Sequence, residues 1–553
     1  MFIRGSMIFM PFNQFKSTSP VFRFLYCILL LLATPASHAL TIEAKALEQQ
    51  LSAPASFAFT ETEVADLQRF YTARDYQPVW ITAESESSLL EFALTFIANS
   101  DAEGLDSRDY QLPQLQQLQQ HAGQSLPAAI ELEIRTTHAL LTLAEDLSRG
   151  RFPATAADPA WHIPQPSFDA VTFLHTAIRT DRLQPSFDDL SPKKLSYQLL
   201  KQTLMRYRKL IHHHADWVHI PNISIIRPGA THAIIPLIRQ RIAQAYAVDG
   251  TVEYLITPNG NQHYDDELVS AIQAFQAQHG LNADGVIGEN TVRALNIPLT
   301  WKIRQLRINM ERLRWLPRDL GERYLLVNTA GFRLTIAEQD KHVANMRIIV
   351  GRDYRSTPSF SGALSHMILN PYWNVPASIA RKDLLPKQQK DPAYFTAAGF
   401  KVYPDHARDA EAIDPDMIDW HAIKQGFPYV LRQNPGAQNA LGRIKFMFPN
   451  PFNIYLHDTP SKALFQKDIR TFSSGCIRLE KPLELAAFAL NEQNVPAEFL
   501  ADMDSGKTIA VHLPKPLPVY LVYITAWVDE QEKVHFSPDI YDRDLRALRY
   551  AGW

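Results

Sequence analysis

Cysteine is almost missing from this sequence, which has two among its 553 residues, Cys27 and Cys476. Cys27 lies in an N-terminal segment that we expect to be removed, so the mature chain would keep Cys476 alone and could form no internal disulfide. A lone thiol in an exported protein is either a reactive group or an accident. The residues around Cys476 therefore decide whether this thiol is interpreted as a reactive group.

Acidic residues are absent from residues 1–39, which contain three cations and an apolar run from Phe24 to Ala33. Small residues precede a cleavage site after Ala39, so the pattern predicts a signal peptide over residues 1–39. The apolar run is well short of the roughly 20 residues of a membrane-spanning helix. An uncleaved segment would still act as a membrane anchor, and that alternative stays open.

A large excess of charge of either sign is also absent. The chain has 55 Lys and Arg against 58 Asp and Glu, a formal net charge of −3, which gives no indication of nucleic-acid binding. The 46% hydrophobic and 20% charged residues are typical of a globular protein. The length predicts three or four domains of about 150 residues, and the patterns below predict a multidomain α+β protein.

Residues 40–215 have mainly helical patterns, which we interpret as a helical scaffold domain without chemistry. Thr60 and Glu63 form a capping-box motif ahead of an apolar helical stripe. Further helices are predicted over residues 88–98 and 127–150, and another is predicted to begin at Ser191-Pro192.

A run of histidines at 212–214, followed by His219, raises the question of a metal site. Adjacent residues on a helix point in different directions and cannot all face one ion. We interpret this run as solvated surface and expect no metal site.

Residues 216–300 are predicted to form a small helical module. Leu268, Ile272 and Phe275 lie on one stripe of a predicted helix, with Gly280 at its C-cap position. The string GLNADGVIGENTVRALN (280–296) adds a glycine-punctuated turn and a short second helix. This string resembles the peptidoglycan-binding module of cell-wall enzymes. The resemblance implies that fold, but it does not by itself imply binding, because such modules also serve as spacers.

After residue 300 the pattern changes to period two, which predicts strands. Residues 323–338 predict two strands joined near Gly331, and residues 341–351 predict a third. In IKFMFPNPFNIYLHD (444–458), Ile454 and Leu456 should face a core, whereas Tyr455 and His457 should share the opposite face and line a cleft. We assign residues 301–510 to a mostly β catalytic domain and residues 511–553 to a C-terminal segment that completes the scaffold.

About 65 residues, 383–447, interrupt the strand patterns and are rich in Pro, Asp and Lys. An interruption of this length in a sheet is usually functional, and we interpret it as an inserted lid subdomain over a site.

The segment before Cys476 contains the groups that a nucleophilic thiol needs. A free thiol has a pKa of about 8.5 and requires a base or cation to become reactive. His457 lies 19 residues upstream and can supply the base if the fold brings it close, and Arg478 can stabilise a thiolate or bind a carboxylate. The Ser474-Gly475-Cys476 turn offers successive backbone N–H groups of the kind that form an oxyanion hole.

The segment from His457 to Arg478 resembles the signature of the L,D-transpeptidase catalytic domain of the YkuD type. Three further segments, residues 350–362, 370–379 and 433–450, are similar to its large Gram-negative subgroup, which combines a helical scaffold, a peptidoglycan-binding module and an inserted lid. Ser474 replaces the histidine of the broad family, as it does in that subgroup, and Asp458 replaces a common glycine. What orients the His457 ring, a backbone carbonyl or the Asp458 carboxylate, stays open.

The resemblance implies a periplasmic cysteine transpeptidase without metal or organic cofactor. Cys476, deprotonated by His457, would attack the diaminopimelate L-centre of a tetrapeptide stem, release D-alanine and pass the acyl group to a neighbouring stem as a 3-3 cross-link. Peptidoglycan stem peptides would be its substrates, carbapenems its covalent inhibitors and other wall-synthesis enzymes its candidate partners. The residues implied for the oxyanion and the substrate are Gly475, Ser474, Tyr455, Arg478 and Trp373.

Three other functions remain open at this point. If water reaches the thioester first, the same site is an L,D-carboxypeptidase. A related enzyme would attach an outer-membrane lipoprotein to the stem. A chain with a decayed site would be a non-catalytic wall-binding scaffold, although the intact Cys476 and His457 argue against decay.

Overall fold

The computed structural model describes residues 41–53, 57–82, 88–211, 217–249, 259–407 and 410–553. The predicted signal peptide and the histidines at 212–214 lie outside these residues. His219 lies within them and is exposed. No helix in this described part of the chain combines the length and the apolar character needed to cross a membrane.

Helices build the N-terminal region, as the sequence predicts. The Thr60 and Glu63 capping box is confirmed, since Glu63 accepts the Thr60 N–H at 2.7 Å and Thr60 Oγ1 accepts the Glu63 N–H at 3.3 Å. The predicted helix start at Ser191-Pro192 is wrong: the helix begins at Leu195, because the Ser191 hydroxyl donates to Glu103 at 2.9 Å instead of capping. The helices are α1 (Ala44–Ser52), α2 (Glu61–Thr72), α3 (Ser88–Ala98), α4 (Leu112–Ala122), α5 (Leu126–Arg149), α6 (Ala154–Ala157), α7 (Ala170–Arg179), α8 (Leu183–Asp188) and α9 (Leu195–Ile211).

A small helical module follows, formed by α10 (Ile235–Asp249), α11 (Asp266–Gln278) and α12 (Glu289–Leu295). Leu268, Ile272 and Phe275 are fully buried in its core, as predicted. The glycine turn is fastened to α11, because the Gln276 side chain accepts the Gly285 N–H at 2.9 Å and donates to the Val286 carbonyl at 3.0 Å.

The C-terminal half of the chain supplies the strands. They are β1 (Arg323–Asn328), β2 (Arg333–Glu338), β3 (Lys341–Gly351), β4 (Phe360–Leu369), β5 (Trp373–Asn374), β6 (Phe400–Tyr403), β7 (Val430–Gln433), β8 (Ile444–Met447), β9 (Leu456–His457), β10 (Thr471–Ser473), β11 (Ile477–Leu479), β12 (Ile509–Val522), β13 (Ala526–Val528) and β14 (Val534–Phe536). Nine of them form one sheet, in the order β10-β3-β11-β9-β8-β4-β12-β1-β2.

The expected boundary at 510/511 is wrong because it falls inside β12, a central strand that pairs with both β4 and β1. Strand β12 is rich in proline, which lacks the N–H group that pairing in a sheet requires, so its sequence does not look like a central strand. A register shift between His512 and Leu517 accommodates the prolines. The residues after β12 do join the scaffold. Strands β13 and β14 share a core with α9 and with α13 (Leu299–Arg314).

The inserted subdomain has a sheet of its own, in the order β5-β7-β6, and a core that includes Phe395, Phe400 and Trp420. The expected range of 383–447 is wrong at both ends. Strand β5 already pairs with β7, so the subdomain begins near Trp373, whereas β8 pairs with β4 and β9 and belongs to the main sheet. Its helices are α14 (Ala377–Ile379), α15 (Leu385–Lys390) and α16 (Tyr394–Ala397), with a π-helical turn over Ala380–Leu384.

Three further helices complete the C-terminal half: α17 (Pro482–Leu490), α18 (Ala497–Asp504) and α19 (Arg543–Ala551). Leu485 of α17 and Phe499 of α18 pack into the core of the nine-stranded sheet. This core fixes one face of β8, β9 and β11, and the opposite face of the same strands carries the candidate site.

Candidate active site

Three neighbouring strands place the predicted catalytic residues on one face of the sheet. Lys445 of β8 lies opposite His457 of β9, which in turn lies beside Arg478 of β11. Cys476 immediately precedes β11 and lies next to Tyr455, since the Ile477 N–H donates to the Tyr455 carbonyl at 3.1 Å. The alternate residues on these strands, Phe446, Leu456 and Ile477, are fully buried in the core. The predicted core face of Ile454 and Leu456 is therefore confirmed, whereas a cleft beside Tyr455 and His457 stays a prediction.

The turn that carries Cys476 is held by hydrogen bonds of its own. Gly475 adopts φ +115°, a backbone conformation that favours glycine. Ser473 Oγ accepts the Gly475 N–H at 3.1 Å and donates to the Cys476 carbonyl at 2.6 Å. Thr357 Oγ1 donates to the Gly475 carbonyl at 2.8 Å. The Gly475 N–H is thus engaged inside the turn, which differs from its expected role as an oxyanion donor.

The orientation of the His457 ring, left open by the sequence, follows from one contact. His457 is buried, and its Nδ1 lies 2.5 Å from the backbone carbonyl of Asp458. A carbonyl only accepts, so Nδ1 carries the proton and Nε2 keeps its lone pair. The Asp458 carboxylate is directed elsewhere: it accepts from Lys462 Nζ at 2.7 Å and from the Arg443 N–H at 2.9 Å.

Burial keeps both reacting groups neutral in the resting site. Desolvation, with a further contribution from the Arg478 charge, lowers the pKa of His457 to about 3. Desolvation also raises the pKa of the Cys476 thiol, and the backbone N–H and phenol of Tyr455, which hydrogen-bond the sulfur, oppose this rise. The Cys476 sulfur lies 3.9 Å from the Asn453 carbonyl. The resting pair is therefore a thiol and a neutral imidazole rather than an ion pair.

Lys445 is the site residue that the sequence analysis missed. Its Nζ lies 3.9 Å from the centre of the Tyr455 ring, and burial lowers the pKa of its ammonium group. The alternation of buried Ile444 and Phe446 carries a usable signal, because it places Lys445 on the face opposite the core. The further step to His457 and Tyr455 requires knowing that β8 pairs with β9.

Ser474 connects the catalytic turn to the inserted subdomain. Its Oγ accepts from Arg355 Nη1 at 2.9 Å, and Arg355 also forms an ion pair with Asp383 of the π-helical turn. Arg352 reaches the same carboxylate at 3.4 Å. One carboxylate of the insert thus holds two arginines of the segment after β3, and one of them holds the catalytic turn.

The remaining predicted residues are divided between the sheet and the insert. Arg478 is half-buried on the catalytic face, and desolvation lowers the pKa of its guanidinium group. Trp373 lies in the insert's own sheet, where its ring packs 5.8 Å from that of Phe400. The structure therefore brings Cys476, His457, Tyr455 and Arg478 together, but gives Trp373 a packing role in the insert. In the residues that the structure describes, no cluster of three or more His, Cys, Asp or Glu side chains could hold a metal ion.

Three family models match parts of this chain. The model described as "L,D-transpeptidase catalytic domain" matches residues 322–512, "Scaffold domain" matches residues 65–204 and "Putative peptidoglycan binding domain" matches residues 246–295. The first range contains both Cys476 and His457. These matches confirm the predicted combination of an L,D-transpeptidase catalytic domain, a peptidoglycan-binding domain and a scaffold domain, and with it the multidomain α+β class.

A relative and two solved structures are also similar to this chain. A Haemophilus influenzae protein named "Putative L,D-transpeptidase" is 36% identical over 252 residues, which are 45% of this chain and 50% of the relative. The chain thus spans about half the length of that relative. An L,D-transpeptidase structure from Xylanimonas cellulosilytica is 13% identical with a TM-score of 0.19, and covers 55% of this chain and 100% of its own. Another structure, from Stackebrandtia nassauensis, is 12% identical with a TM-score of 0.21, and the match covers 55% of this chain and 97% of that structure's chain. TM-scores below 0.5 carry no argument about the overall fold.

Proposed function

We propose that this chain, whose residues 322–512 belong to the L,D-transpeptidase catalytic domain family, forms 3-3 cross-links between peptidoglycan stem peptides through a thioester on Cys476. The observation that carries the proposal is the neutral His457 on the same face as the thiol, with Nδ1 fixed by a carbonyl and Nε2 therefore unprotonated. A nucleophile beside an oriented base is the arrangement that acyl transfer requires. Peptidoglycan lies outside the cytoplasmic membrane, and we propose a periplasmic location.

The first half of the reaction forms the thioester. The Cys476 thiol turns from the Asn453 carbonyl and gives its proton to His457 Nε2, while the sulfur attacks the carbonyl carbon of the diaminopimelate L-centre. The carbonyl electrons move to oxygen, and collapse of this oxyanion breaks the C–N bond to D-alanine. The imidazolium returns its proton to the departing amine, so D-alanine leaves and His457 is neutral again.

The second half passes the acyl group on. The neutral side-chain amine of diaminopimelate on a second stem attacks the thioester, and His457 accepts the proton that the nitrogen loses. The C–S bond breaks, and the sulfur recovers that proton from the imidazolium. If water takes the place of the amine, the same steps give a carboxypeptidase, so exclusion of water determines which activity is observed.

The donors to the oxyanion differ from those expected. The Gly475 N–H already donates to Ser473 Oγ, so we assign the oxyanion contact to the Cys476 N–H and the Tyr455 hydroxyl. Tyr455 suits this role because burial and the neighbouring Cys476 raise the pKa of its phenol, which keeps the proton on oxygen. Its hydroxyl would move its hydrogen bond from the sulfur to the oxyanion once the sulfur has attacked.

Product analysis tests the proposal. The purified protein and its Cys476→Ala variant are incubated with disaccharide-tetrapeptide, and products are identified by mass spectrometry. A cross-linked dimer that has lost D-alanine, absent from the variant, is the expected result. Tripeptide alone would replace the transpeptidase by a carboxypeptidase. No product from the wild type, together with no adduct on Cys476 after exposure to a carbapenem, would leave a non-catalytic wall-binding protein.

A further inference from the structure

Lys445 is a half-buried cation without a carboxylate partner in the described part of the chain. Its position on β8 directs it to the catalytic face, where the nearest described contact of its ammonium group is the Tyr455 ring at 3.9 Å. Within the described residues, no carboxylate lies close enough to Lys445 to form an ion pair. Desolvation acts against its charge and lowers its pKa.

Arg478 is in the same situation on the other side of His457. It is half-buried, its Nε is buried without a hydrogen-bond partner, and no ion pair to it is found in the part of the chain that the structure describes. The charged group that acts on it most strongly is another cation, Arg352.

The neighbouring carboxylates are engaged elsewhere. Asp458 turns away from the site to Lys462 and to the Arg443 N–H. Asp383 forms ion pairs with Arg355 and Arg352. The charged and titratable groups that face the thiol from β8, β9 and β11 are therefore two cations, a phenol and a neutral imidazole, without an anion.

Two half-buried cations on the strands either side of His457 are each costly to bury unless an anion reaches them. An ammonium group and a guanidinium group both bind carboxylates by charge-assisted hydrogen bonds. Lys445 and Arg478 flank His457, one strand away on each side, and neighbouring strands lie about 4.8 Å apart. A carboxylate bound by this cation pair would thus lie within about one residue of the carbonyl that Cys476 attacks.

We propose that Lys445, together with Arg478, binds a carboxylate of the donor stem peptide and makes the site selective for donors that carry it. This inference rests on the proposed transpeptidase function and specifies its substrate. Two groups of the stem present this chemistry near the reacting carbonyl: the terminal carboxylate of D-alanine and the side-chain carboxylate of diaminopimelate. Lys445 is then a substrate-binding residue, and its loss affects donors with the carboxylate only.

The test compares donors and variants in one matrix. The donors are the free tetrapeptide stem, its C-terminal amide and a stem amidated on the diaminopimelate side chain. The proteins are the wild type, Lys445→Gln, the charge-preserving Lys445→Arg and a matched control, Lys194→Gln. Lys194 also lies over a tyrosine ring, that of Tyr324, but pairs with Asp340 away from the catalytic face. Values of kcat and KM are measured from D-alanine or D-alaninamide release.

The expected result is selective. Wild type should lose roughly tenfold to a hundredfold in kcat/KM with one of the two amidated donors. The kcat/KM of Lys445→Gln with the free carboxylate donor should fall by a similar factor, mainly because KM rises. With the amidated donor that wild type turns over poorly, its kcat/KM should hardly change. Lys445→Arg should recover most of the loss, and Lys194→Gln should behave as wild type.

Other outcomes overturn the inference in distinguishable ways. Equal losses of Lys445→Gln with all three donors, matched by an equal loss in the rate at which iodoacetamide alkylates Cys476, would make Lys445 a residue that acts on the thiol. No loss with any donor would give it no role in the reaction. A wild type that turns over all three donors equally would overturn this inference alone, whereas a wild type without product from any donor would overturn the proposed function with it.

Discussion

Two regions of this protein that contain buried or half-buried cations differ in what surrounds those cations. At the end of α13, Arg312 pairs with Asp544 and Arg314 pairs with Glu311, and all four side chains are fully buried. On the catalytic face, Lys445 and Arg478 have no carboxylate partner among the described residues. The first arrangement connects α13 to α19 and gives each arginine a carboxylate partner, whereas the second lacks an anion that a substrate can supply.

Substitutions in the two regions should have different effects. A buried ion pair contributes little net stability when it forms, but breaking it leaves an unpaired charge in the interior at a cost of about 3–5 kcal/mol. Substitution of Lys445 or Arg478 on the catalytic face leaves no carboxylate of the described residues unpaired. We therefore expect substitutions at α13 to change the free energy of unfolding and substitutions on the catalytic face to change turnover.

The largest effect should follow the loss of the base. His457→Gln removes the proton acceptor and should lower kcat by about a thousandfold, within the range typical of general acid–base groups, at a nearly unchanged melting temperature. D-alanine release and thermal unfolding measure the two quantities. His121→Gln, a change at an exposed position of α4, serves as control and should leave kcat unchanged. A His457→Gln variant with wild-type kcat would remove this residue from the mechanism.

The next largest effect should be structural. Asp544→Ala leaves the Arg312 guanidinium buried without its carboxylate and should lower the free energy of unfolding by about 3–5 kcal/mol. Denaturant unfolding measures this, and kcat per folded molecule should stay within about twofold of wild type. Glu289→Ala is the control, because it breaks an exposed pair with Arg293 that is worth about 0–1 kcal/mol. Equal losses for the two variants would remove the contrast between the two regions.

A pH effect links the catalytic face to stability. The pKa of His457 is about 3 in the folded protein against a usual 6.5, so the unfolded chain binds a proton between these values while the folded chain does not. The contribution of neutral His457 to the free energy of unfolding is fully present above pH 6.5. It is lost as the pH falls towards 3, at up to about 1.4 kcal/mol per pH unit. The free energy of unfolding of His457→Gln should fall less steeply than that of wild type between pH 7 and 5. Parallel slopes in urea titrations would show that His457 is not held neutral.

The smallest effect should come from the contact between the insert and the catalytic turn. Asp383→Asn removes the charge that holds Arg355, which in turn donates to Ser474. Loss of the two partly buried ion pairs of Asp383, with Arg355 and Arg352, should raise the KM for the donor stem by about twofold to tenfold, with kcat and melting temperature little changed. Asp416→Asn, at an exposed carboxylate of the same insert, is the matched control. An unchanged KM for Asp383→Asn would leave this contact without a role in donor binding.

Local patterns in the sequence predicted the features that depend on neighbouring residues. The capping box of Thr60 and Glu63, the buried stripe of α11 and the separation of Tyr455 and His457 from the core all follow from spacing along the chain. The lone thiol and its glycine turn identified Cys476 and His457 as candidates, and the family signature supported their pairing, which spacing alone leaves open.

Features that depend on pairing between distant segments were not predictable in this way. Lys445 belongs to the site because β8 pairs with β9, and the insert begins at Trp373 because β5 pairs with β7. The prolines of β12 disguised a central strand, which a register shift makes possible. The Gly475 N–H was an expected donor to the oxyanion, but the hydroxyl of Ser473, two residues earlier, already accepts it.

One measurement tests the central claim, a thioester on Cys476, most directly. The protein is mixed with disaccharide-tetrapeptide, quenched in acid within one turnover and weighed whole by mass spectrometry, followed by proteolysis to locate the modified residue. The account predicts a mass gain equal to the disaccharide-tripeptide acyl group, located on the peptide that contains Cys476 and absent from Cys476→Ala. Product formation without any such adduct, or an adduct on another residue, would contradict it.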